Sequence, residues 1–314
     1  MMAQDNPIVF FNDRFVPLSE AKISILTHAL HYGTGVFEGI RGYWSEKRKQ
    51  MLLFRAADHF RRWKLNCGLL HMDLAHTESE LCDITEELVR RNDFCTDIYI
   101  RPIAYRSSPR VGVRPDDQYA IAIIGIPFGP YLSSASGIHA CVSTWRRVED
   151  NAIPARGKIC GAYVNSALAT DEAHRNGFDE AIFLNEAGHV VEGATCNLFL
   201  VKQGKLITPP ASDNILEGIT RDTVMQLAAR ELRMETIERS IDRSELYQCE
   251  EAFFTGTAVE IAPITRIDHH PVGLGVVGPI SSQLRSVYDS VVRGWREQYD
   301  HWLEPVLTPA LDRS

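Results

Sequence analysis

The sequence predicts a mixed α/β (α+β) protein built as two domains. Three observations lead there. The chain has 314 residues, room for more than one hydrophobic core. Strand and helix signals alternate through its first part, whereas paired short strands with a few helices fill the second. Between them, IAIIGIPFGPYLSSASG passes from an apolar strand into Gly, Pro and Ser, the composition of a domain connection. The domains are accordingly placed at 1–127 and 139–314, joined by 128–138.

Taken in order, VFFNDRFVP reads as a short hairpin around Asn12 and Asp13, and MLLF (51–54) as a buried strand running into a helix. In that helix Phe60, Trp63 and Cys67 fall at i, i+3 and i+7, one apolar stripe. Thr77 and Glu80 spell a capping box ahead of Leu81, Ile84 and Leu88. In the strand DIYIRPIAYR (97–106), alternation puts Ile98 and Ile100 on one face and Tyr99 and Arg101 on the other. That second face is either solvated or the wall of a pocket. Beyond the connection, AIFL and HVVEG around the turn NEAG read as an antiparallel hairpin, and NLFLV with KLITP around KQG as another. Helices are predicted at about 163–176, closed by Gly177, at about 220–234, and at 279–293, where Ile280, Leu284, Val287 and Val291 share a face. The stretch after Trp295 carries no readable pattern.

Composition narrows the function. A hydrophobic share of 45% and a charged share of 24% are those of an ordinary globular protein. A net charge of −8 argues against a nucleic-acid surface, and the run RRW at 61–63 is explained as one helix face. The first residues have neither the basic start nor the apolar core of a secretory signal, so a cytoplasmic location is expected. No two of the seven cysteines lie in a CxxC or at zinc-ligand spacing, and they read as reduced thiols. Adjacent His269 and His270 have no accompanying ligand cluster, so no metal site is assigned.

Chemistry enters at IPARGKICGAY (153–163). Lys158 stands among small and apolar residues, between Gly157 and Gly161, with Tyr163 closing the stretch. It is either a loop lysine or an amine held where it can attack a carbonyl. In the second case pyridoxal phosphate is the partner to expect, and it needs a carboxylate at its ring nitrogen and donors for its phosphate. Glu192, ending an apolar strand in VVEGATCN, is either a turn residue or that carboxylate. In LEGITRD a glycine and a threonine open a helix, where free N–H groups form either an ordinary cap or an anion site. In FFTGTAVEIAP, Thr257 and Ala258 follow a strand and form either a plain turn or a second anion site.

These signals occur together and in order. HALHYGTGVFEGIRGY (28–43), YIRP (99–102), RGKICGAY (156–163), EAIFLNEAGHVVEGATCNLFLV (180–201), ILEGITRDTV (215–224) and FFTGTAVEIAPI (253–264) closely resemble the branched-chain amino-acid aminotransferases, fold-type-IV (class IV) pyridoxal phosphate enzymes. The likeness runs from about residue 7 to about 290 and is weakest in 44–96 and in the tail. It implies a smaller N-terminal α/β domain and a larger C-terminal pseudo-barrel domain carrying the cofactor lysine. It also implies transamination between branched-chain L-amino acids and 2-oxoglutarate in two half-reactions.

Carried residue by residue, the resemblance makes Lys158 the Schiff-base lysine and proton carrier, with Tyr163 on the cofactor's phenolic oxygen and Glu192 on the ring nitrogen. Arg55, Ile219 and Thr220 would hold the phosphate, and Leu216 would pack on the ring. Substrate groups fall on Phe37, Tyr99, Arg101, Phe128, Tyr131, Thr257 and Ala258. Tyr99 and the 257–258 amides would take the α-carboxylate, and Arg101, helped by Tyr32 and Tyr131, the distal carboxylate of glutamate. Tyr32 and the loop near Val113 would reach the neighbouring subunit's site, which implies a homodimer or an assembly of dimers.

The chain departs from the family in AYRSSPRVGVRP, which adds Arg106 and Arg110, and in Phe128, where tryptophan is frequent. The two arginines are read as surface charge on a mobile loop, or alternatively as one arginine lining the pocket mouth and shifting the amine range. Rival readings are a D-amino-acid or (R)-amine transaminase or an aminodeoxychorismate lyase on the same fold, a cofactor-free Schiff-base aldolase, and a non-catalytic binding protein.

Overall fold

The computed structural model describes residues 6–129 and 136–306. The chain separates into two compact units. One holds the chain up to Gly129, the segment Gly157–Gly161 and the chain from Ser290 onward. The other holds the stretch ending at Arg156 together with Ala162–Asp289. This differs from the expected division in two places. The lysine segment and the C-terminal stretch count with the first unit, because their backbone hydrogen bonds run there.

The chain begins with β1 (Ile8–Phe11) and β2 (Arg14–Pro17). The Asn12–Asp13 turn between them has φ of 49° and 60°, the left-handed pair that a two-residue hairpin needs and that Asn and Asp tolerate. There follow α1 (His28–Tyr32), β3 (Gly35–Phe37), β4 (Ile40–Ser45) and β5 (Gln50–Phe54). Two helices come next, α2 (Ala56–Leu69) and α3 (Glu78–Asn92). Phe60, Trp63 and Cys67 on α2 are all fully buried, each large ring worth roughly 1.5–3 kcal/mol. The capping box forms as read: the Glu80 N–H donates to Thr77 Oγ1 at 3.2 Å and the Thr77 N–H to Glu80 Oε2 at 2.7 Å. The unit continues through β6 (Ile98–Arg106) and β7 (Tyr119–Pro127).

The second unit opens with β8 (Ile138–Arg146), α4 (Tyr163–Arg175), β9 (Glu180–Leu184) and β10 (Val190–Gly193). Next are β11 (Asn197–Lys202), β12 (Lys205–Thr208), α5 (Ile219–Glu231) and β13 (Thr236–Glu238). It closes with β14 (Glu251–Gly256), β15 (Glu260–Ile267), β16 (His270–Pro271) and most of α6 (Pro279–Val292), whose residues from Ser290 on count with the first unit. Both predicted hairpins form antiparallel. The nine-stranded sheet is nonetheless mixed: β8 lies parallel to β9 and to β15, and β12 parallel to β13. Helix α4 supplies the crossover between β8 and β9, which parallel neighbours require.

The last described strand, β17 (Leu303–Val306), falls where the sequence showed no pattern. It pairs with β5 at the edge of the first unit's eight-stranded sheet, in the order β17-β5-β4-β6-β7-β1-β2 with β3 on β6. All seven cysteines are free. Burial pushes the Cys67 and Cys141 thiols up to about 12 and that of Cys249 to about 11, so these are packing residues and not nucleophiles.

Candidate active site

In the first unit the lysine segment is held against β3 along its backbone. The Phe37 N–H donates to the Lys158 carbonyl at 3.0 Å, the Gly161 N–H to the Gly33 carbonyl at 3.0 Å, and Val36 bridges Ile159. Lys158 is thereby half-buried, with Nζ 5.2 Å from the centroid of the Phe37 ring. The same ring carries the Arg101 guanidinium, 4.5 Å from its centroid. Arg101 also lies 5.1 Å from the Tyr99 ring and donates to Tyr99 Oη at 3.2 Å, and Tyr99 packs on Phe128 at 5.2 Å. The Tyr99/Arg101 face of β6 is therefore an aromatic wall with a cation on it. Phe37, Tyr99, Arg101, Phe128 and Lys158 come together as expected.

Two features under this wall were not anticipated. A Cβ on Gly39 would stand 1.9 Å from Tyr99 Oη, so the glycine of FEGIR makes room for the phenol. Beside it, Glu38 is fully buried and takes hydrogen bonds from His59 Nδ1 at 2.8 Å and from Arg62 at 2.7 and 2.8 Å. Burial alone would raise the Glu38 carboxyl, but the Arg62 charge and these bonds outweigh it and hold it well below the usual carboxylate range. Burial lowers His59, against the pull of Glu38, so the ring stays neutral as a donor. The cluster fastens α2 to the residue after Phe37.

Arg55 precedes α2 with φ of 52° and ψ of 38° and donates to Asp58 at 2.7 Å. Tyr32 and Val113 belong to a separate group in the same unit. The Gly112 N–H donates to Tyr32 Oη at 2.9 Å, the His28 ring packs tilted against Tyr32 at 4.7 Å, and the Val113 carbonyl meets His28 Nε2 at 3.2 Å. The Val113 side chain is 75% exposed. Tyr131 lies outside the described residues.

Arg106 is neither surface charge nor a pocket residue. It is 2% exposed and donates to the carbonyls of Asp116, Leu70 and His71. The alternation that buries Ile98 and Ile100 runs on through Pro102 and Ala104 to Arg106, so it shares their face. Arg110 is the exposed one, bonded to the Arg114 carbonyl and 3.9 Å from Asp116.

The second unit arranges its expected residues around a carboxylate. Glu192, 4% exposed, is the penultimate residue of β10. Its Oε1 pairs with Arg147 at 3.0 Å, while Oε2 accepts from Asn197 Nδ2 at 3.0 Å and from the Leu216 N–H at 3.2 Å. Neither Arg147 nor Asn197 carries a sequence signal for this role. Asn197 also donates to the Leu216 carbonyl at 2.8 Å, and a Cβ on Gly218 would stand 2.0 Å from its Oδ1. Gly218 is the N-cap of α5, so the amides of Ile219 and Thr220 open the helix one turn from the Glu192 network. Thr257 and Ala258 form the turn after β14, and Thr255 Oγ1 just before it is buried and has no partner among the described residues. Tyr163 opens α4, half-buried, in a cleft with Ser166, Thr170 and Thr195.

Residues 35–267 match the family Amino-transferase class IV. The chain is 48% identical over 298 residues to the probable branched-chain-amino-acid aminotransferase of Aquifex aeolicus (strain VF5), covering 95% of this chain and 96% of that protein. Among solved structures, the branched-chain aminotransferase of Thermoproteus uzoniensis with norvaline superposes with a TM-score of 0.92 at 43% identity, over 96% of this chain and 100% of that one. The branched-chain amino acid aminotransferase of Thermobaculum terrenum in its pyridoxal phosphate form gives 0.93 at 42% identity, over 97% and 100%. By the family match over residues 35–267 and these relatives, the chain belongs to the class IV aminotransferases, in the group of the branched-chain enzymes.

Proposed function

We propose that this chain is a pyridoxal 5′-phosphate-dependent aminotransferase that moves the amino group between branched-chain L-amino acids (leucine, isoleucine and valine) and 2-oxoglutarate in a ping-pong cycle. The observation that carries the reading is the Lys158 amine set beside an aromatic wall bearing Tyr99 and Arg101, in a chain that belongs to this family over nearly its full length.

The donor set suits the cofactor. The α5 N-terminus offers amide N–H groups to a phosphate, Thr255 Oγ1 is a buried hydroxyl without a partner among the described residues, and Glu192 offers a carboxylate paired with Arg147. When bound, the cofactor supplies the electron sink that makes the α-proton of the amino acid acidic.

The residues divide the remaining work. Lys158 Nζ would hold the cofactor at rest and, once the substrate's amine has displaced it, the freed amine would take the α-proton and return it one position away. Glu192 would keep a proton on the ring nitrogen, and Tyr163 would bond the phenolic oxygen. Arg55, Ile219 and Thr220 would hold the phosphate, and Leu216 would pack on the ring. Tyr99 with the Thr257 and Ala258 amides takes the α-carboxylate. The apolar faces of Phe37 and Phe128 suit a branched side chain, whereas Arg101 meets the distal carboxylate of the longer acid.

A homodimer follows from the same reading. Ile25, Leu30 and Val113 of the first unit are 79%, 61% and 75% exposed, apolar surface of the kind that association covers. Tyr32 and Val113 are the residues to reach a partner's site. A cytoplasmic location fits the seven free thiols.

The test is the absorption spectrum of the cofactor-saturated protein before and after each donor. L-Leucine is expected to remove the cofactor's visible band and 2-oxoglutarate to restore it. Bleaching by D-alanine or (R)-1-phenylethylamine alone would move the function to the rival transaminases, and a colourless protein would remove the cofactor altogether.

A further inference from the structure

The last described strand and the residue before it, unreadable in the sequence, converge on one residue. The Arg55 N–H donates to the Trp302 carbonyl at 2.7 Å, and its guanidinium carbon lies 5.5 Å from the centroid of the Trp302 ring. Two residues on, the Ala57 N–H at the start of α2 donates to Glu304 Oε1 at 3.1 Å. The pairing of β17 with β5, Leu303 opposite Phe54, brings the two segments into register. Trp302 is itself fixed: 7% exposed, stacked on the buried Tyr299 at 4.9 Å and edge-on to Phe54 at 6.2 Å.

Arg55 needs such support. Its backbone is in the left-handed region, φ 52° and ψ 38°, which an L-residue with a long side chain seldom adopts unless its surroundings impose it. The side chain is 11% exposed, with Nε bonded to Asp58. Backbone bond, ring and the α2 cap together restrict both the main chain and the guanidinium at this position.

We infer that Trp302 and Glu304 are positioning residues for cofactor binding: they hold Arg55 in the conformation that presents its guanidinium to the cofactor's phosphate. This rests on the assignment of Arg55 to the phosphate proposed above, and it adds the last strand to the cofactor site. The strand then acts through phosphate recognition and not only through the stability of the sheet.

The experiment titrates apo-protein with pyridoxal 5′-phosphate and, separately, with pyridoxal, which lacks the phosphate. The ratio of the two affinities reads phosphate recognition alone. Trp302→Leu is expected to weaken pyridoxal phosphate about tenfold, the size of a desolvated cation–π contact with its geometric constraint, and to leave pyridoxal unchanged. Trp302→Phe, which keeps a ring, should recover most of the ratio. Should Trp302→Leu fail to fold, Glu304→Ala carries the test with an expected loss of about threefold in the ratio. Arg55→Met is the internal control and should collapse the ratio. If Arg55→Met collapses it while Trp302→Leu and Glu304→Ala leave it intact, or weaken both ligands equally, the positioning role is overturned. An intact ratio in Arg55→Met would instead overturn the assignment of Arg55 and the inference with it.

Discussion

The two units prepare for the same chemistry by different means. The first does it with side chains: rings of Phe37, Tyr99 and Phe128, the Arg101 cation and the Lys158 amine, backed by the buried Glu38–His59–Arg62 cluster. The second does it with a fixed carboxylate and with backbone amides at turns and a helix start. Side chains vary with substrate and can be altered one at a time. Backbone amides are indifferent to side-chain identity and suit groups common to every turnover, the cofactor's phosphate and the substrates' α-carboxylate. On the assignment proposed above, specificity would reside in the first unit, on the face of β6.

The sharpest way to break this contrast is at the Glu192 network. Arg147→Met leaves a carboxylate buried without its cation, which should cost about 3–5 kcal/mol in stability and is checked by denaturant unfolding. Glu192→Gln in turn leaves the Arg147 cation buried without its anion, so it should carry a cost of similar size and also slow the half-reaction with L-leucine about 10²-fold. Unfolding midpoints unchanged from wild type in both variants would show that the pair does not act as a buried ion pair.

Next in size is Arg106→Met. It removes the donor from the carbonyls of Leu70, His71 and Asp116 and empties a buried guanidinium site, and a loss of about 1–3 kcal/mol is expected. The rank order of amino donors should stay as in wild type, because Arg106 lies on the buried face of β6. A changed rank order would return it to the pocket.

Two glycines sharpen the comparison directly. Gly39→Ala pushes a methyl into Tyr99 Oη, and Gly218→Ala pushes one into Asn197 Oδ1. The first should raise KM for the amino acid about tenfold with cofactor affinity unchanged, and the second should weaken the cofactor about tenfold with little change in donor preference. Steady-state kinetics and cofactor titration of both variants decide the matter. The same signature in both would dissolve the division of labour.

The smallest effect is pH dependence. His59 titrates below its ordinary value of 6.5 in the fold, so as pH falls through 6.5 the unfolded chain takes up a proton that the folded one refuses, and stability drops. Glu38 has the same sign at lower pH. Its contribution is fully present above the ordinary carboxylate value of 4.5 and is lost as pH falls toward the depressed folded value. His59→Asn keeps a donor for Glu38 without a titrating ring. It should flatten the stability curve between pH 7.5 and 5.5 relative to wild type and leave the limb below 4.5. Parallel curves for the two proteins would contradict the cluster's role.

Much of this was legible in the sequence where the cause is local. The stripe of Phe60, Trp63 and Cys67, the Thr77–Glu80 box and the Asn12–Asp13 turn depend on residues within a few positions of each other, and each forms as read. Arg106 was legible too, since four steps of the alternation from the buried Ile98 lead to it. The partners of distant residues were not. Nothing near Glu192 points to Arg147, and nothing in the irregular tail points to Arg55, because those contacts arise only when strands far apart in the chain become neighbours. The parallel pairing of β8 has the same origin.

The central claim is that Lys158 is the amine that holds the cofactor. Borohydride reduction of the pyridoxal phosphate-saturated protein fixes the cofactor covalently to whichever amine holds it, and peptide mass spectrometry then locates it. The account predicts a single labelled peptide containing Lys158, with the label lost in Lys158→Ala. Label on a different lysine, or undiminished label in that variant, would contradict it.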